Sequence, residues 1–124
     1  MREYQMREYR ALMDGQEIAA NVRIADTFLK RFIGLLREKE IKAHDGLLID
    51  PCNQVHTFGM KFDIDVVFLS KSGEIVHTES EMTPGNISPT IKKCRTVLEL
   101  KAGTIEEKSI IKGKRIAFDP IYID

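Results

Sequence analysis

Apolar positions along this chain recur mainly at alternate residues, the period of a half-buried strand, and the breaks between runs hold turn-forming residues. Asp14-Gly15 stands between Ala11-Leu12-Met13 and Glu17-Ile18. This dipeptide tolerates the positive φ angles of a two-residue hairpin, so the chain is expected to open with two paired strands. The period then changes. Phe28, Leu29, Phe32, Ile33 and Leu36 recur at helical spacing behind Asp26 or Thr27, either of which can cap a helix. Gly34 would weaken that helix by about 1 kcal/mol relative to alanine, which fits either close approach of another backbone or a helix end.

Gly46-Leu47-Leu48-Ile49 predicts a short buried strand stopped by Pro51. Residues 54–60 and 62–69 predict two more, the second joined through Lys71-Ser72-Gly73 to a third from Glu74, making a β-meander. Residues 83–89 contain Pro84, Gly85, Asn86 and Pro89 and are expected to form a flap over one end of the sheet. Residues 97–100 predict another strand. Thr104 followed by Glu107 has the spacing of a capping box, so a short helix is expected to start at Thr104 and end at Gly113. Residues 115–118 alternate as a closing strand ahead of Asp119-Pro120. These elements predict an α+β fold: a predominantly antiparallel, curled or barrel-like β-sheet of about seven strands with one or two short helices.

The 124 residues suit one core, divided into an N-terminal arm over residues 1–9, which holds the repeated MREY, and a single β-rich domain over residues 10–124. The 19 basic and 19 acidic residues are interspersed, which argues against a nucleic-acid partner. Lys92, Lys93 and Arg95 form only a small basic cluster without the interleaved aromatic residues of single-strand binders. The charged start MREYQMREYR lacks an apolar run, and no segment has the length of a membrane span, so the expectation is a cytoplasmic protein with no membrane partner. Cys52 and Cys94 are read as reduced thiols in such a compartment, with a bridge as the alternative.

Residues 51–69, PCNQVHTFGMKFDIDVVFL, carry the candidate chemistry because Cys52, His56, Asp63 and Asp65 lie among strand formers. Asp65, flanked by Ile64, Val66, Val67 and Phe68, must reach water or be held by specific donors. Cys52 and His56, four apart on a continuous strand, would share a face and could act as nucleophile and base, with Asp65 or Glu99 orienting the ring. Equally, Cys52 is a small buried residue and His56 a hydrogen-bonded structural one. Asp63 and Asp65, about 7 Å apart on one face, could divide acid and base roles, although Asp63 fits a turn end. No CxxC or HExxH spacing accompanies the cysteines and histidines, and neither a metal nor a cofactor is expected.

The order of these pieces resembles the small prokaryotic family known as domain of unknown function 192. They are Gly34-Leu35-Leu36 after an arginine, Gly46-Leu47-Leu48, residues 51–69, Gly73-Glu74-Ile75-Val76, Pro84, residues 97–103 (VLELKAG), and Lys112-Gly113. Many members have a tryptophan before the methionine matching Met60, where this chain has His56-Thr57-Phe58-Gly59 and looks like a Cys-and-His branch. The resemblance implies a compact β-rich fold with no established activity, and it marks Glu99 as part of a signature motif.

The expected function is a binding or accessory module in which His56, Thr57, Asp65 and Glu99 line a polar pocket for a small polar ligand or a peptide of a protein partner. One alternative is a cysteine-dependent enzyme using Cys52 and His56 in acyl or thiol chemistry. The other is a module that binds proteins through an exposed strand edge.

Overall fold

The computed structural model describes residues 8–25 and 41–121. Among these residues seven strands form one sheet: β1 Glu8–Met13, β2 Gln16–Ala25, β3 Asp45–Ile49, β4 Ile64–Leu69, β5 Ile75–Met82, β6 Thr96–Lys101 and β7 Ile116–Ile121. A short helix, α1 Thr104–Glu107, precedes β7. Across the sheet the order is β5-β4-β6-β3-β2-β1-β7. Every pair is antiparallel except β2 with β3, and a parallel pair needs a long crossover such as residues 26–44 supply. The sheet is therefore mixed, mostly antiparallel and not closed.

The β1–β2 hairpin turns at Asp14 and Gly15 with φ of 53° and 77°, as the dipeptide predicts. Three expectations differ. Residues 54–60 form no strand, contributing only an isolated bridge between His56 and Ile87. Glu8 and Tyr9, the last residues of the expected arm, lie in β1 and pair with Arg23 and Val22 of β2. The last strand runs on through Asp119 and Pro120, because β7 lies at the sheet edge, where proline costs no ladder bond to a further strand. The helix expected behind Asp26 or Thr27, with Gly34, lies outside the described residues.

Curling gives the sheet an inner and an outer face. Along β4 the side chains alternate: Val67 and Leu69 join one cluster, while Ile64, Val66 and Phe68 join the other. The first cluster draws on every strand, with Ala11, Val22, Leu48, Val67, Ile75, Leu98 and Ile116 all buried, and it is the interior of the curl. Ile105 of α1 and Ile110 just after it join this core. The second cluster, with Ile49, Ile64, Val66, Phe68 and Val97, lies on the outer face of β3, β4 and β6, beneath Val55, Met60, Ile91 and Cys94 of the connecting segments. All six residues of β4 are buried, because both its faces carry core.

The two edge strands meet at one end only. Ile75 N–H donates to Lys114 O at 2.8 Å, Ile116 N–H to Gly73 O at 2.9 Å, and Glu74 bridges Arg115. Gly73 makes this approach possible: its φ is +89°, and a Cβ there would lie 2.6 Å from Ile116 O.

Candidate functional site

Asp65 starts on the inner face at one end of the curl. It is fully buried, and both carboxylate oxygens accept main-chain amides: Oδ1 from Glu81 at 2.7 Å and Oδ2 from Ile105 at 2.7 Å. The Glu81 amide is available because the β4–β5 register slips between Ile64 and Val66, and Glu81 takes a φ of 50°. The Ile105 amide is one of the donors that a helix start leaves unsatisfied. Gly103 occupies the cap position with no side-chain bond, and Thr104 Oγ1 donates instead to Lys101 O at 2.7 Å. The expected capping box is therefore replaced by a carboxylate 40 residues away in sequence. Asp65 ties β4 to β5 and to α1.

Glu99 is also fully buried, but on the other face. It pairs directly with Val66 of β4 and Leu47 of β3, both of the outer cluster, whereas Asp65 pairs with Leu100 of the inner one. Strand alternation thus sends Asp65 and Glu99 to opposite sides of the sheet. Both engage in contacts, and the two carboxylates lie on opposite faces.

Thr57 is completely buried and clasps the flap. Its hydroxyl donates to Thr83 O at 2.7 Å and accepts the Asn86 amide at 2.9 Å, while its own N–H donates to Asn86 O. Ser88, also buried, accepts the Val55 amide through Oγ at 3.0 Å. Residues 83–89 are consequently sewn onto residues 54–57. His56 bridges Ile87 and stacks on Phe58, with ring centroids 4.8 Å apart.

Cys52 Sγ donates to Gln54 O at 3.2 Å. The strand regularity that would align Cys52 with His56 is absent, since β3 ends at Ile49 and residues 50–63 form no strand. Asp63 is exposed ahead of β4, at a turn end. Among the described residues no three His, Cys, Asp or Glu side chains gather to hold a metal ion.

A cavity of about 420 Å³ opens at the end of the curl opposite α1. Leu48, Leu69, Ile116 and Phe118 form its apolar floor. Asp50, Ser70, Lys71, Ser72, Arg95 and Thr96 form its rim. Asp50 Oδ1 accepts Arg95 Nε at 3.0 Å, which holds the half-exposed guanidinium at the mouth. Ser70 Oγ lies 3.1 Å from Ser72 Oγ and accepts the Glu74 amide at 3.1 Å, shaping the β4–β5 turn. Asp65 and Ser70 stand at opposite ends of one strand, about 17 Å apart. Sequence reasoning missed this site because its rim comes from three separate segments. The only local signals were a polar hairpin turn and a small basic cluster.

The chain is similar to proteins of archaea. It is 30% identical over 111 residues to a UPF0127 protein of Thermococcus kodakarensis, covering 86% of this chain and 69% of that protein. It is 30% identical over 110 residues to one of Pyrococcus furiosus, covering 85% and 92%. Among solved structures, the fold matches a Sinorhizobium meliloti protein provisionally named a transcription regulator, with TM-score 0.79, 21% identity and coverage of 94% and 98%. It also matches a Novosphingobium aromaticivorans protein of unknown function, with TM-score 0.76, 15% identity and coverage of 89% and 83%. At these identities the structural likeness speaks for the fold alone. Among the described residues no helix is long and apolar enough to cross a membrane. The family model described as uncharacterized ACR matches residues 10–118, and the chain belongs to that family, domain of unknown function 192.

Proposed function

We propose that this protein is a binding module whose ligand is a small amphipathic anion, held in the cavity at the open end of the curled sheet. The carrying observation is the cavity's division into an apolar floor of Leu48, Leu69, Ile116 and Phe118 and a rim with two cations, Lys71 and Arg95, against one carboxylate, Asp50. An apolar floor favours a hydrocarbon or aromatic body, and the excess cation at the mouth favours a terminal carboxylate. Arginine suits this role because its planar fork can serve Asp50 through Nε while its outer edge meets a ligand. The hydroxyls of Ser70, Ser72 and Thr96 supply further polar groups around the mouth.

The test is titration of the full chain with a medium-chain carboxylate such as octanoate, read from the methyl NMR signals of Leu48, Leu69 and Ile116. Saturable shifts confined to these methyls are expected, with octanol, the uncharged counterpart, binding more weakly. Arg95→Ala should weaken octanoate about tenfold, the loss of one charge-assisted contact. No shift up to the solubility of the probe, or equal binding of octanol, would dispose of the proposal.

A further inference from the structure

Cys52 and Cys94 meet where the β3–β6 ladder runs out. Ile49 pairs with Val97 at the last ladder position. Past that position neither segment keeps strand geometry, and tertiary contacts bring the two cysteines together. Contacts beyond the strands hold the segments together. Cys52 N–H donates to Arg95 O at 2.9 Å, and Cys94 Sγ lies 3.4 Å from Cys52 O. Both side chains pack against the same outer cluster, and both residues are half-buried thiols.

We propose that Cys52 and Cys94 form a reversible dithiol–disulfide pair, oxidised by small-molecule disulfides, that locks residues 50–53 to residues 91–95. In the first step the Cys52 thiolate attacks a disulfide RSSR, forming a mixed disulfide and releasing one RS⁻. Cys94 then gives up its proton and attacks Cys52 Sγ, expelling the second RS⁻. The protein loses two thiol protons and two electrons, and RSSR takes up both to become two RSH. Burial raises the Cys94 thiol, which suits Cys94 to the second, resolving step. Cross-linking closes a loop that includes β4, β5 and the flap, and so restrains the unfolded chain.

The experiment is incubation of the native full chain with oxidised glutathione, followed by intact mass and thiol titration. The expected product is a monomer lighter by two hydrogens, with both thiols lost together, melting roughly 5–15 °C higher and restored by dithiothreitol. Cys94→Ser should instead stop at a stable glutathione adduct on Cys52. Glutathione adducts on the wild-type chain without ring closure, disulfide-linked dimers, or a bridge formed only in denaturant would each overturn the pairing. The wild-type measurement decides even if the serine variant folds poorly.

Discussion

The carboxylate of Asp65 caps Ile105: Oδ2 accepts that amide at 2.7 Å, joining the first turn of a four-residue helix to a strand 40 residues earlier. The other oxygen serves Glu81. A helix this short has little stability of its own, so its position depends on this bond and on burial of Ile105. Asparagine at position 65 would turn an amide group toward one of two N–H donors. Asp65→Asn is expected to lower unfolding stability by about 3 kcal/mol, measured as a reduced urea midpoint. Octanoate binding at the far end of the sheet should persist in the folded fraction. A variant as stable as wild type would remove the tether.

Thr57 joins the flap to the outer face through a hydroxyl that both donates and accepts. Valine keeps the shape but leaves the Asn86 main-chain amide without its hydroxyl acceptor, while the Thr83 carbonyl keeps only the Asn86 side-chain amide. The expected cost for Thr57→Val is about 1–3 kcal/mol, and amide exchange at Asn86 should accelerate more than exchange in β4. Uniform acceleration everywhere would mean that the clasp has no local role.

Gly73 lets the two sheet edges touch. Alanine there would combine a left-handed φ of +89° with a Cβ 2.6 Å from Ile116 O. Gly73→Ala is expected to cost about 1–3 kcal/mol and to expose the Ile116 amide, whose bond to Gly73 O would open. Thermal melting together with exchange at Ile116 checks this, and an unchanged Ile116 amide would refute it.

Cys94 carries a pH signature. Burial pushes its thiol from 9.0 up to about 11, and the nearby Cys52 adds to the rise, against lowering by backbone bonds at Leu69 and Thr96. The folded chain therefore keeps a proton between these values that the unfolded chain has already lost. That contribution is complete below pH 9 and disappears as pH climbs through about 11. Iodoacetamide alkylation of Cys94 in a Cys52→Ser background should stay slow at pH 8 and climb until about pH 11. A plateau already at pH 8 would contradict the assignment.

Much of the architecture was legible because it rests on local rules. Asp14-Gly15 dictates a tight hairpin through backbone sterics, and the apolar residues flanking Asp65 mark a strand, which the structure then buries on both faces. Residues 54–60 misled for an identifiable reason. Their alternating Val55 and Thr57 are buried, as in a strand, but the buried Thr57 hydroxyl serves the flap and the segment gains only one bridge. Thr104 and Glu107 had the spacing of a reciprocal cap, yet a stronger acceptor arrived from another strand.

The candidate site was less accessible to such reasoning. Asp65 and Glu99 look equivalent as acids within apolar strands, and their separation depends on pairing: Val66, not Asp65, faces Glu99. Shifting that register by one residue would bring the two carboxylates to the same face. Similarly, nothing local joins Arg95 to Asp50 or Phe118 to Leu69, which meet only when the curl brings β3, β4, β6 and β7 around one opening.

The amino-acid order by itself determined the turns, the strand-forming runs and the absence of a segregated charged block, since each depends on a few neighbouring residues. Tertiary structure alone decided which acids became internal ties, how the Cys94 thiol came to lie against the Cys52 backbone and where an apolar hollow acquired a cationic rim. Those outcomes depend on contacts between segments far apart in sequence, and such contacts exist only after the sheet has chosen its register and its curl.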